Sequence, residues 1–157
     1  MLFQFQEYLT LGNIYLWSNI GILPFWLMLL IIPRSRITQV LINSIILPLI
    51  FSSLYIYVIY QAILLDEPIY DLFKLYSNLD NLYTVFSSEN FLLAFWLHFI
   101  ALNLFLGLWI ARDGVKYNIP YKLVFLPLAF AYFVGPVGLI LYWFVRVFYS
   151  KRLGFHD

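Results

Sequence analysis

From Asn90 to Ala111 the chain reads NFLLAFWLHFIALNLFLGLWIA, 22 residues without a charge between Glu89 and Arg112. A helix rises about 1.5 Å per residue and a bilayer's hydrocarbon core is about 30 Å thick, so such a stretch is long enough to cross it. Three more charge-free stretches flank it: 26 residues between Glu7 and Arg34, 29 between Arg36 and Asp66, and 23 between Lys122 and Arg146. All 17 charged residues of the 157 fall outside these four stretches. The pattern predicts an all-α polytopic membrane protein, a bundle of four transmembrane helices in a single domain over residues 1–157, with spans near 14–32, 37–65, 91–111 and 123–149.

Composition points the same way. The chain is 64% hydrophobic and 11% charged, with a mean hydropathy of +0.87, whereas a soluble domain is roughly 45–50% apolar and about 25% charged. Too few charges remain to solvate a water-exposed surface, which excludes a soluble globule, a disordered chain and a basic nucleic-acid-binding module. Cysteine is absent, which removes disulfides, thiolate nucleophiles and Cys-ligated metals. The first apolar run lacks a basic start and a small-residue cleavage site, so it reads as a retained helix rather than a secretory signal.

Prolines punctuate the spans. Pro24 predicts a kink packed on a neighbour in the first, Pro48 lies near the middle of the second, and Pro127 and Pro136 fall in the fourth. Between the second and third spans, apolar residues at 69, 72, 73, 76, 79, 82, 83 and 86 follow steps of three and four. This predicts an amphipathic helix lying in the membrane interface. The positive-inside rule barely discriminates for four spans: Arg34, Arg36, Arg112, Lys116 and Lys122 fall on one side, and Lys74, Arg146, Lys151 and Arg152 on the other.

Polar residues inside spans raise a functional question, because each costs free energy there. They are Asn19, Gln39, Asn43, Gln61, His98 and Asn103. His98 reads either as a hydrogen-bonding link between helices or, since imidazole titrates near neutrality, as a proton carrier. Asn103, Gly107 and Ala111 are spaced by four and share a helix face, with Trp96 one heptad before Asn103. Ala131 and Gly135, extended by Gly138 and Tyr142, offer a matching small-residue stripe, so the third and fourth spans are expected to pack closely. Metal chemistry finds no support: His98 and Asp113 would lie about 22 Å apart along a helix, and no span holds a carboxylate.

The run Trp96 to Gly107, followed by Trp109-Ile110 and Asp113-Gly114, resembles the signature of the abscisic-acid-deficient-four-like membrane family. Gly135-Pro136-Val137-Gly138 through Tyr142 is similar to a second signature of that family. Asn19, Leu23-Pro24, Trp26-Leu27, Pro33, Arg34 and Thr38 are similar to its first-helix pattern. Plant members are associated with neoxanthin synthesis from violaxanthin, so the resemblance implies a role with a carotenoid or related isoprenoid. Asn103 stands where the family usually carries Asp.

Two readings follow. In one, the protein is an enzyme or enzyme subunit that isomerises a carotenoid end group by acid/base chemistry. His98 would then move the proton, and Asn103, Arg112 and Asp113 would stabilise charge on oxygen. In the other it is a non-catalytic module binding a pigment, lipid or partner helices, with Asn19, Trp96, Gly107, Gly135, Pro136, Gly138 and Tyr142 serving ligand contact or packing. Expected partners are membrane lipid, a carotenoid, and a further copy or another membrane protein. No metal or nucleic acid is expected, the cofactor is unknown, and the bias toward Ile, Phe, Tyr and Asn suggests a bacterial inner membrane.

Overall fold

The computed structural model describes residues 9–42, 44–64 and 76–151. All the regular structure among them is helical: α1 (Leu11–Ile31), α2 (Arg36–Ile42), α3 (Ile46–Leu64), α4 (Leu79–Phe86), α5 (Glu89–Lys116), α6 (Tyr121–Phe133) and α7 (Gly135–Ser150). Three of these, α1, α3 and α5, are long and apolar enough to cross a membrane.

Helix starts follow side-chain capping. The Thr10 hydroxyl accepts from the Asn13 amide (3.3 Å) ahead of α1, that of Ser35 from Thr38 (3.1 Å) ahead of α2, and Asn78 Oδ1 from Asn81 (2.8 Å) ahead of α4. Each satisfies one of the amides a helix start leaves without an intrahelical partner. Helix α1 runs unbroken through Pro24, which lies on an exposed face rather than packed on a neighbour.

Two of the expected single helices are divided, and both divisions follow from proline. The stretch 37–65 becomes α2 and α3. Pro48 then falls in the first turn of α3, where a missing N–H costs no helical bond. Ser44 Oγ accepts from Ile46 N at that start (3.1 Å). The stretch 123–149 becomes α6 and α7, separated by Val134 at φ −144° and ψ 83°. Pro136 would collide with the carbonyl of Tyr132 inside a continuous helix, so the chain breaks two residues earlier and restarts with Pro136 in the first turn of α7.

Of the expected interfacial helix, only the part from Tyr76 onward is described; 65–75 lie outside the described residues. Tyr76, Leu79 and Tyr83 are largely exposed, while Val85 is buried and the Phe86 ring packs edge-on against Phe91 and Phe95.

The chain divides into two compact units, residues 1–21 with 49–100, and residues 22–48 with 101–157. In the first, Ile14, Val58, Leu93, Ala94 and Leu97 form the core. In the second, α6 and α7 fold against each other as an antiparallel hairpin. Gly138 touches the backbone of Ala131, and Val124 and Tyr142 from the two arms both meet Gly114. Outward-facing positions in both units are strongly apolar, among them Trp17, Ile37, Ile56, Phe133 and Phe148. In water such a surface would aggregate; in lipid it is the solvated face.

Candidate functional site

In the second unit the hairpin tip is built around Asn103. A carbonyl four residues before a proline has no helical donor, and Tyr132 holds that position relative to Pro136. Asn103 Nδ2 donates to the Tyr132 carbonyl at 3.4 Å, and the Asn103 Oδ1 lies so close to Gly135 that a side chain there would collide with it. One turn along α5, Gly107 provides the floor for the Trp26 ring, which a Cβ at Gly107 would meet at 2.5 Å. Trp26 is 2% exposed, packs edge-on against Tyr132 (5.3 Å between centroids), and its indole N–H has no hydrogen-bond partner. Pro136 itself is exposed.

At the far end of the hairpin sits a buried ion pair. Arg146 Nε donates to Asp113 Oδ2 at 2.8 Å, and the Tyr142 hydroxyl donates to the same oxygen at 2.7 Å. Arg146 also donates through Nη2 to the Tyr117 hydroxyl (3.3 Å), with its guanidinium carbon 5.0 Å from that ring's centroid. Arg146 is 0% exposed. Counted from the sequence only among the cations on one side of the membrane, Arg146 is a buried partner of Asp113. The pairing also separates the expected partners Arg112 and Asp113. Successive helical residues point about 100° apart, and Arg112 is exposed, lining a cavity of about 150 Å³ with Ser44, Phe105, Leu108 and Trp109. Arg34 Nη2 reaches the Ile119 carbonyl (3.4 Å) beside a gap of about 20 Å³, about the space of one water.

In the first unit Asn19 links two helices. Its Oδ1 accepts from Trp96 Nε1 (3.2 Å) while its Nδ2 donates to the Tyr15 carbonyl (2.7 Å), and the Trp96 ring stacks on Phe99 and lies 6.0 Å from that of Tyr15. His98 is exposed, with its ring 5.9 Å from that of Tyr55. Elsewhere in this unit a cavity of about 290 Å³ is lined by Thr10, Tyr57, Gln61 and Asn90 between the apolar walls of Leu11 and Val58. Its polar groups are all uncharged, and Gln61 Nε2 donates to the Tyr57 hydroxyl at 2.9 Å.

Chemically, the arrangement separates the candidates. Asn103 closes a backbone break, Asp113 neutralises a buried guanidinium, and Gly107, Gly135 and Gly138 provide space for close contact. His98 stays open. Among the described residues, no three His, Cys, Asp or Glu side chains gather where they could hold a metal ion. Sequence reasoning gave no site role to Arg146, Tyr117 or Trp26, although Trp26 lay in the first-helix pattern and Arg146 among the counted cations. A signal for Arg146 was present: Gly138 and Tyr142 were already on one stripe, and the next step of four is residue 146.

The described helices and their apolar outer faces define a polytopic all-helical membrane protein. The family model described as ABA DEFICIENT 4-like matches residues 13–142, and the chain belongs to that family. A curated relative, Protein ABA DEFICIENT 4, chloroplastic, from Arabidopsis thaliana, is 24% identical over 144 residues, covering 90% of this chain. The chain spans 64% of that relative's length. The relative is a chloroplast protein, so this comparison lends the bacterial inner membrane no support. No solved structure matches the chain.

Proposed function

We propose that this protein binds a carotenoid or related isoprenoid within the bilayer and serves in its metabolism. The observation that carries the reading is the cavity lined by Thr10, Tyr57, Gln61 and Asn90. Its neutral donors and acceptors suit a hydroxyl, epoxide or keto oxygen on an otherwise apolar molecule, and no charge must be desolvated to admit it. Family membership supports the same substrate class.

If the reaction is an acid/base isomerisation, the proton carrier in this reading is His98. It is the one imidazole within a crossing helix, and it is exposed while Asp113 is held in an ion pair. A second reading, binding without turnover, is favoured by the engagement of Asn103 and Asp113 in packing, which leaves few groups for chemistry.

Expression of the protein in a host supplied with oxygenated carotenoids, followed by chromatography of total and copurified pigments, tests both. Wild type is expected to retain pigment and Gln61→Leu to lose most of it. His98→Ala is expected to keep the bound pigment while abolishing any new product. Absence of pigment from purified wild type, with unchanged profiles in every strain, would overturn the proposal.

A further inference from the structure

The α6–α7 hairpin bears on how often the chain crosses the membrane. Helix α6 has 13 residues and α7 has 16, or about 20 and 24 Å, so neither arm reaches across a core of about 30 Å. Both arms are anchored to α5 at the same two levels. At one level Val124 and Tyr142 meet Gly114, and Arg146 binds Asp113. At the other, Gly135 and the Tyr132 carbonyl meet Asn103. These levels are about ten residues apart on α5, or about 15 Å, half the hydrocarbon thickness. The chain therefore rises from the end of α5 to the depth of Asn103, turns at Val134 and comes back.

We propose that α6–α7 is a re-entrant hairpin that enters and leaves the membrane on one side, so that the protein crosses three times. A broken helix at mid-depth is tolerated only where protein satisfies the interrupted backbone, and the Asn103 amide on the Tyr132 carbonyl does this. Charge supplies independent support. With α1, α3 and α5 as the crossings, Arg34, Arg36, Arg112, Lys116, Lys122, Arg146 and Lys151 all fall on one side, with Asp113 as the acid among them. The described charges on the other side are Asp80 and Glu89. By sequence alone, residues 65–75 add Asp66, Glu67 and Asp71 against Lys74 to that acidic side. The near balance of a four-span arrangement becomes a strong asymmetry, and the positive-inside rule puts the basic end in the cytoplasm. There it faces the leaflet that carries anionic lipid, which attracts juxtamembrane Lys and Arg.

The chain contains no cysteine, so single substitutions report sidedness without background. Asn118→Cys, Lys151→Cys and Ser77→Cys are each expressed in a bacterial host, and right-side-out and inside-out vesicles are treated with a membrane-impermeant maleimide. Re-entry requires Asn118→Cys and Lys151→Cys to label from the same face, the inside-out one, and Ser77→Cys from the opposite face. Labelling of Lys151→Cys together with Ser77→Cys, and opposite to Asn118→Cys, overturns it. Should Asn118→Cys not accumulate, Lys122→Cys reports the same loop. A fluorescent reporter that matures only in the cytoplasm, fused to the C-terminus, gives a second readout: a dark but fully expressed fusion counts against the cytoplasmic placement of the basic end.

Discussion

Breaking the Asp113–Arg146 pair tests how the second unit is held together. At 2.8 Å with Arg146 fully buried, the Coulomb term is about 6 kcal/mol at an effective dielectric of about 20, offset by a desolvation cost of several kcal/mol per ion. The net value of the pair is therefore modest, but removing one partner leaves a buried charge uncompensated, which costs about 3–5 kcal/mol. Arg146→Met should incur this cost, because the Tyr142 hydroxyl alone cannot neutralise Asp113. Asp113→Asn should behave alike, removing the carboxylate that the guanidinium donates to. The double variant removes both charges and should recover at least about 1.5 kcal/mol relative to the sum of the singles. At about 2–4 °C per kcal/mol for a domain of this size, each single should lower the apparent Tm by about 6–20 °C. The assay is the fraction of monodisperse protein left after heating in mild detergent, read by size-exclusion chromatography. Additivity of the two single effects within about 0.5 kcal/mol would refute the pairing argument, since uncoupled sites add.

Other outcomes follow from the contacts at single residues. Gly138→Leu should destabilise by about 1–3 kcal/mol and loosen the hairpin, because a Cβ there meets the Ala131 backbone at 2.5 Å, which cannot rotate away; a Tm within a degree or two of wild type would contradict this. Asn103→Leu should cost about 1–3 kcal/mol, since it leaves the Tyr132 carbonyl without its donor, while Asn103→Gln should cost less if its longer amide still reaches; thermal melts of the pair decide. Ser18→Ala should be neutral or stabilising by about 1 kcal/mol, because the buried Ser18 hydroxyl has no hydrogen-bond partner and Ala favours helix; a clear loss of stability would show that the hydroxyl is used. Asn19→Leu should cost only about 0.6 kcal/mol, the usual worth of a hydrogen bond between membrane helices, and should be silent in a Trp96→Phe background that already lacks the donor.

The charge-free stretches made the membrane and the helical class legible, because exclusion of ionisable groups from hydrocarbon acts on composition directly. They could not show where an apolar stretch bends. An arm that re-enters and one that crosses carry the same residue types, and only the position of Pro136 relative to a small-residue stripe hinted at the turn. Pro48 was equally ambiguous, disruptive in mid-helix and harmless in a first turn. His98, Asn103 and Asp113 stood out by rarity alone, whereas their roles depend on distant neighbours: Tyr132 and Gly135 for Asn103, Arg146 for Asp113. Arg146 lies 33 positions beyond its carboxylate, a separation that helical periodicity does not span. The cavity around Gln61 and Asn90 joins α1, α3 and α5, and no local pattern announces it.

That same separation sets an order on biogenesis. Synthesis proceeds from the N-terminus, so Asp113 leaves the ribosome at the end of α5 while the cation that will neutralise it is still untranslated. Until residues 114–146 have followed and folded back, the nascent protein carries an unmatched carboxylate near the end of α5. Truncation anywhere before Arg146 would leave that state permanent. An unfinished chain and a finished one thus differ in one carboxylate, open in the first and paired in the second.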